Sequence, residues 1–165
     1  MERFGNILLI QLGDIGDVVL TTPAIRAVKE TYPDARVSIM VRKPFGSLIA
    51  TDPNLHEVVE SIKPSGSLLV TLKEYIGFVI SLRRAHYDLV VDLRTGDRGA
   101  FLAFLTGAEE RVGYRGNKVG FLHRIFFSKI ISDIPVGLPS IHPGADQSLR
   151  IIRKIGIDTD NSHPQ

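Results

Sequence analysis

Short runs of consecutive apolar residues, each followed by a segment with helical spacing, constrain the fold of this chain most strongly. The first run is residues 7–10 (ILLI), and similar runs lie at 36–41 and 87–92. Runs of this length are typical of strands buried on both faces, as in a parallel sheet. Between residues 18 and 32 the apolar residues recur at helical spacing instead. The start of the chain therefore predicts a strand–helix–strand unit.

The same alternation continues to the end of the sequence. Further strands are predicted at 57–60 and 111–114, an extended segment at 126–131, a long helix at 68–84, and shorter helices at 45–50, 100–105 and 145–155. Strands that alternate with helices predict an α/β domain, Rossmann-like and doubly wound, with a mostly parallel sheet.

The composition of the chain argues against several classes of function. The 165 residues suffice for one domain, and a net charge of +2 gives little support for a nucleic-acid partner, so none is expected. The chain has no cysteine, which excludes disulfides and thiol nucleophiles, and no two histidines share metal-ligand spacing, so no metal site is expected. No apolar stretch reaches the ~20 residues of a membrane span, and no signal peptide is recognisable. We therefore expect a cytoplasmic protein.

The first candidate site follows the first strand. Ligands of doubly wound sheets bind beyond the carboxyl ends of the strands, and residues 13–17 (GDIGD) lie at such an end. Gly16 would let a backbone or a ligand approach closely. Asp17, at the entrance to the next helix, is interpreted as a helix cap or as a base that takes a proton from a substrate hydroxyl. One residue can serve both roles.

The second candidate site follows the strand at 87–92, where Asp92, Arg94 and Arg98 lie within seven residues. Arginine can hold a phosphate or carboxylate by two parallel hydrogen bonds, but a surface network of arginine and aspartate is an equally good interpretation. Glycine-rich nucleotide motifs are incomplete, since Gln11 occupies the first glycine position of G-x-G-x-x-G and no Lys-Ser/Thr follows. These departures argue against dinucleotide enzymes and P-loop NTPases.

Residues 111–124 are rich in basic and aromatic side chains. This segment contains Arg111, Arg115, Lys118, His123 and Arg124. It can be interpreted as contacting an anionic ligand or a membrane surface, or as a solvated loop.

Several blocks, taken in their order and spacing, resemble the N-terminal half of glycosyltransferase family 9, the ADP-heptose:lipopolysaccharide heptosyltransferases. The matching blocks are 7–24, 32–35, 87–94, 106–114 and 142–157, so the resemblance covers nearly the whole chain. The family implies a two-domain GT-B architecture in which the acceptor binds mainly to the first half and the sugar nucleotide mainly to the second.

The resemblance also implies roles for particular residues. Asp17 matches the family's catalytic base, which would deprotonate an acceptor hydroxyl that then attacks the anomeric carbon with inversion. We expect substrate contacts from residues around it and around the second site: Gly13, Asp14, Gly16, Asp92, Arg94, Arg98 and Arg115. The resemblance implies no cofactor and no metal. Since the family's acceptors are lipid-linked, it also implies peripheral contact with the cytoplasmic face of the inner membrane.

The expected division of the chain is an acceptor-side domain at 1–157 and the start of an interdomain linker at 158–165. The donor-binding domain is expected to be absent, which predicts that the chain alone does not turn over. Two alternatives stay open. One is a non-catalytic binding module in which Asp17 only caps a helix, and the other is a dinucleotide enzyme.

Overall fold

The computed structural model describes residues 4–62, 66–94, 96–114, 121–132 and 143–159. Its strands are β1 (Asn6–Gln11), β2 (Arg36–Arg42), β3 (Glu57–Ser61), β4 (Leu89–Asp92), β5 (Glu110–Tyr114) and β6 (Lys129–Ile131). Its helices are α1 (Ile15–Val19), α2 (Thr22–Thr31), α3 (Leu68–Arg84), α4 (Asp97–Thr106), α5 (Phe121–Phe126) and α6 (Pro143–Arg153), with a 3₁₀ turn at Phe45–Leu48.

The strands form one sheet in the order β3-β2-β1-β4-β5-β6, and every described pair is parallel. Leu9 on β1 lies between Ile39 on β2 and Val91 on β4. The strand order reverses at β1 and β4, and this reversal creates the crevice in which doubly wound sheets bind ligands. The predicted Rossmann-like α/β fold is confirmed.

Helices cover both faces of the sheet, which explains the unbroken apolar run in β1. Ile7 and Leu9 pack into a core cluster with residues of α2 and α6, whereas Leu8 and Ile10 pack on the other face with residues of α3 and α4. All four side chains are fully buried. Because residues 7–10 of β1 are covered on both faces, all four can be apolar.

The single helix predicted over 18–32 is wrong, because two helices occupy this segment. Leu20 and Thr21 separate α1 from α2. The Thr21 hydroxyl donates a hydrogen bond to the carbonyl of Asp17 at 2.7 Å, a local side-chain bond that competes with continuous helix. Pro23 lies in the first turn of α2, as expected, where its missing N–H group leaves no helical hydrogen bond unmade.

The second half of the chain also differs from the prediction in places. Residue Phe126 ends helix α5 instead of beginning a strand, and its ring contacts those of Phe101 and Phe104 on α4 at centroid distances of 5.9 and 5.3 Å. Helix α6 begins at Pro143, in a segment predicted as loop. Gly156 follows α6 with a φ of 86°, in agreement with the predicted glycine cap.

Candidate functional site

The loop between β1 and α1 is held by a buried glutamine. The Gln11 side-chain amide donates to the Thr21 hydroxyl at 2.9 Å, and its carbonyl oxygen accepts from the Gly13 N–H at 3.2 Å. These bonds join the end of β1 to the junction between α1 and α2. The loop that carries Asp14, and the start of α1 that carries Asp17, are therefore fixed on one side by the core.

Asp14, rather than Asp17, occupies the N-cap position of α1, which corrects the capping interpretation of the sequence. Asp17 is the third residue of the helix, and its Oδ2 accepts the Asp14 N–H at 3.0 Å. This is the reciprocal contact of a capping box. Asp17 thus does contribute to the helix start, from inside the first turn.

Arg94 reaches Asp17 from the loop after β4. Its Nη1 donates a hydrogen bond to Asp17 Oδ2, forming an ion pair between residues 77 positions apart in the sequence. The Asp17 side chain remains 35% exposed and that of Arg94 44% exposed. Both contacts of Asp17 use Oδ2, and no residue in the described ranges bonds to Oδ1. Asp17 Oδ1 is available to accept a hydrogen bond from a hydroxyl group.

Gly13 makes room for this ion pair. A Cβ atom at residue 13 would lie 2.5 Å from Asp17 Cβ and would overlap Arg94 Nη1 and Asp17 Oδ2. At Gly16, where the sequence predicts a close approach, no described atom lies within 4 Å of the Cβ position. Protein atoms therefore approach closely at Gly13, whereas the surface beside Gly16 is open.

Asp92 does not reach the surface, so the structure does not place it for the predicted contact with substrate. It is only 1% exposed at the end of β4, and its Oδ1 accepts the Arg94 N–H at 3.1 Å. Within the described residues Oδ2 has no hydrogen-bond partner, and a Cβ at Gly99 would lie 2.7 Å from the Asp92 Cγ. Burial raises the pKa of Asp92 to about 8, although the N–H and charge of Arg94 act in the opposite direction.

Arg98 is directed away from Arg94. Its Nη2 donates to the Ile62 carbonyl at 2.7 Å and lies 3.4 Å from the Ser61 hydroxyl, at the end of β3. On the same side of β1, Arg42 at the end of β2 forms an ion pair with Asp14 at 2.6 Å. Arg94 and Arg98, the two arginines predicted for this site, thus make their contacts at different places along the carboxyl edge of the sheet. Arg115 lies outside the described residues.

Of the basic side chains predicted at 111–124, the structure describes Arg111 and Arg124. Arg111 is directed inward, where its Nε donates to the Phe126 carbonyl at 2.7 Å and its guanidinium lies 5.8 Å from the centre of the Phe104 ring. It packs α4 against α5 instead of facing a ligand, which corrects that expectation. Lys118 and His123 are not described at side-chain level.

A cavity of about 410 Å³ lies at the opposite, amino-terminal edge of the sheet, lined in part by Arg83, His86 and Glu110. Asp88, which also lines it, accepts the N–H groups of Gly5 and Asn6, each at 2.8 Å. The carboxylate therefore anchors the start of β1. The geometry of doubly wound sheets favours the carboxyl edge as the ligand site.

Two further searches are confined to the described part of the chain. There, no group of three or more His, Cys, Asp or Glu side chains is placed to hold a metal ion. No helix that the structure describes combines the length and the apolar character that a membrane span requires.

Comparison with known sequences points to one class of enzyme. No family model matches the chain. Over 121 residues it is 26% identical to lipopolysaccharide heptosyltransferase 2 of Escherichia coli K12, a match that covers 73% of this chain and 34% of the relative. The chain spans about a third or less of the length of the first curated relatives that it matches.

Comparison with solved structures gives the same fold. A glycosyl transferase family 9 protein from Veillonella parvula aligns with 99% of this chain and 44% of its own, with a TM-score of 0.73 and 21% identity. Heptosyltransferase WaaC of E. coli, solved with ADP-2-deoxy-2-fluoro heptose, aligns with 97% of this chain and 51% of its own, with a TM-score of 0.76 and 16% identity.

Proposed function

We propose that this chain, which resembles the glycosyltransferase family 9 heptosyltransferases in sequence and fold, forms the acceptor-side domain of an inverting glycosyltransferase. The proposed reaction transfers a heptose or related sugar from a sugar nucleotide to a lipopolysaccharide core or related glycan. The curated relatives are named heptosyltransferases, and WaaC has been solved with ADP and with a fluorinated ADP-heptose, which supports this choice of donor class.

In the proposed reaction, Asp17 is the general base. An acceptor hydroxyl donates its hydrogen to Asp17 Oδ1 while its oxygen attacks the anomeric carbon of the donor. The bond from that carbon to the diphosphate oxygen breaks on the opposite side, so the configuration inverts and the nucleoside diphosphate leaves. Arg94 holds the other carboxylate oxygen, which fixes the orientation of the base.

The observation that carries this proposal is the environment of Asp17. Its carboxylate is one-third exposed at the carboxyl end of the sheet, and its position is set by Arg94 and by the Asp14 N–H. Oδ1 has no partner in the described part of the chain. A base needs this combination of a fixed position and an oxygen open to the substrate.

We further propose that residues 1–157 are the acceptor-side domain, that 158–165 begin an interdomain linker, and that a separate half binds the donor. The described chain remains packed up to Thr159, whose hydroxyl donates to Glu30 on α2 at 2.6 Å. A domain that binds the acceptor cannot by itself align the acceptor with the donor. The 165-residue chain supplied with sugar nucleotide and acceptor should therefore show no turnover.

A chimaera tests the function. This chain would replace the corresponding part of lipopolysaccharide heptosyltransferase 2 of E. coli, and transfer of heptose to lipopolysaccharide core would be measured by mass spectrometry. The proposal expects transfer by the chimaera and none by either part alone. A folded chimaera that binds donor but transfers no sugar to any lipopolysaccharide-core acceptor would contradict it.

A second candidate is a non-catalytic binding module, and the hydrogen bond from the Asp14 N–H to Asp17 favours it, because that contact gives Asp17 a purely structural role. Under this alternative, Asp17→Asn would cost about 1 kcal/mol of folding free energy, as a lost cap does, and would leave any transfer by the chimaera intact. Both candidates expect a similar small loss of stability, so the transfer measured with the folded variant separates them.

For location, we propose a cytoplasmic protein that contacts the inner membrane through α3. This helix has one buried residue, Leu82, and four of its six exposed large apolar residues recur every three or four positions. They form one stripe: Leu69, Leu72, Ile76 and Ile80. Three basic residues and one acidic residue lie on the same helix, so its net positive charge complements anionic lipids.

Sedimentation with lipid vesicles tests this contact. The chain should bind vesicles containing phosphatidylglycerol more strongly than vesicles of phosphatidylcholine alone, and Leu72→Gln should weaken binding several-fold. Leu48→Gln, at an exposed leucine outside α3, is the matched control. Equal binding by the two variants would rule out the α3 stripe as the contact.

A further inference from the structure

A basic pocket of about 270 Å³ lies at the carboxyl ends of β2 and β3. Its lining consists of Arg42, Lys43, Ser61 and Arg98. Arg42 and Ser61 are register partners on neighbouring strands, so their side chains leave the sheet on the same face. Arg98 comes from the first turn of α4. Residues distant in the sequence thus bring three positive charges to one pocket.

Most hydrogen-bond donors of these cations have no partner among the residues that the structure describes. Arg98 uses only Nη2, which bonds to the Ile62 carbonyl and approaches Ser61, and Arg42 uses only Nη2, toward Asp14. Lys43 is exposed and makes no hydrogen bond or ion pair with the described residues. Each side chain therefore retains N–H groups that an anion could accept.

Among the described residues, one acidic side chain pairs with a cation of the pocket: Asp14, which lies 2.6 Å from Arg42. The three cations that line the pocket repel one another, and the first turn of α4, which carries Arg98, adds the positive end of a helix. An anionic ligand would relieve that repulsion and occupy the unused donors.

The pocket is also connected to Asp17. Asp14 pairs with Arg42 through its carboxylate and donates its N–H to Asp17 Oδ2 at 3.0 Å, so one residue joins the pocket to the proposed base. We infer that Arg42, Lys43 and Arg98 form a subsite for a phosphate or carboxylate group of the acceptor, which places a neighbouring hydroxyl at Asp17. This inference rests on the proposed function for the identity of the ligand.

Titration of the 165-residue chain with inorganic phosphate and, separately, with acetate tests the subsite and distinguishes the two kinds of anion. Amide chemical shifts would be recorded at constant ionic strength, with chloride replaced by the anion. The expected result is saturable shifts at residues 42, 43, 61 and 98. Binding of phosphate alone would assign a phosphorylated acceptor, and binding of acetate alone a sugar acid.

A matched pair of variants makes the test specific. Lys43→Gln removes one charge from the pocket and Lys73→Gln removes one from α3, and both side chains are exposed. Loss of a charge-assisted hydrogen bond should weaken anion binding about tenfold for Lys43→Gln, whereas Lys73→Gln should change it less than about twofold. Thermal unfolding of both variants would verify that they remain folded.

Three outcomes would overturn the inference: no saturable shift at the pocket with either anion, shifts spread over all basic surfaces, or equal weakening by the two variants. Anion binding requires no turnover, so the result is independent of the chimaera. Binding at the pocket with an inactive chimaera would retain the anion site and reject the proposed function. An active chimaera without binding would reject the site alone.

Discussion

Asp17 follows β1 and Asp92 ends the neighbouring strand β4, so both lie at the same sheet edge, yet their environments are opposite. Asp17 is one-third exposed and its carboxylate pairs with the Arg94 guanidinium, whereas Asp92 is 1% exposed and, among the described residues, accepts the backbone N–H of Arg94 alone. Each carboxyl group has a glycine against it, Gly13 for Asp17 and Gly99 for Asp92. Arg94 therefore contacts both aspartates, through different groups.

The difference shows what a strand end must provide for acid–base chemistry. The sequence makes Asp92 look as suitable as Asp17, since both follow a buried strand and both have an arginine nearby. Only Asp17 combines a fixed position with access to solvent. Asp92 is better explained as a structural residue that holds the backbone of Arg94, and through it the guanidinium beside Asp17.

The largest expected effect concerns the pH dependence of stability. The pKa of Asp92 is about 8 in the folded chain, against an ordinary value of 3.8. Between pH 3.8 and pH 8, folding therefore takes up a proton. The stabilisation is complete below about pH 4 and declines by up to about 1.4 kcal/mol per pH unit as the pH rises toward 8. Urea unfolding from pH 5 to 8 should show a flatter profile for Asp92→Asn than for the wild type. Parallel profiles would contradict the buried, protonated state.

The next effect tests how tightly Asp92 is packed. Gly99→Ala would place a methyl group 2.7 Å from Asp92 Cγ, and we expect it to lower the free energy of unfolding by about 1–3 kcal/mol, as overpacking does. Gly77→Ala, in α3 with no described atom within 4 Å, is the control and should stabilise the chain by up to about 1 kcal/mol. Equal effects would mean that Asp92 has room to move.

The smallest effect is expected for the stability of Asp17→Asn. Its ion pair is largely exposed, so its loss should cost about 1 kcal/mol or less in urea unfolding of the 165-residue chain. A cost of several kcal/mol would place Asp17 among the residues that hold the fold and would remove the contrast with Asp92.

The sequence predicts the helices and strands well where the pattern of apolar residues within one segment determines them. The predicted helix at 68–84 has the bounds of α3, and the strands at 7–10 and 36–41 differ from β1 and β2 by a residue at their ends. Apolar periodicity does not detect the interruption after α1, because that break comes from the Thr21 hydroxyl competing for the Asp17 carbonyl.

The candidate site is only partly predictable for a different reason. Its position follows from the fold, because ligands of parallel sheets bind at the carboxyl edge. Which of the two arginines faces Asp17, however, depends on the path of the loop after β4, and sequence spacing contains no information on that path. The role of Gln11 in holding the loop after β1 was not predicted. Its place at the end of an otherwise apolar strand was the available signal, since a polar residue buried there needs partners.

The central claim is that Asp17 is the base and Asp92 is not, and the single-turnover rate of the chimaera tests it directly. With saturating donor and acceptor, Asp17→Asn should lower that rate by about 10²–10⁴-fold, the usual contribution of a general base. Asp92→Asn, measured below pH 7, should stay within about tenfold of the parent, since it keeps an oxygen that can accept the Arg94 N–H. A folded Asp17→Asn chimaera that transfers sugar at the parental rate would contradict the account.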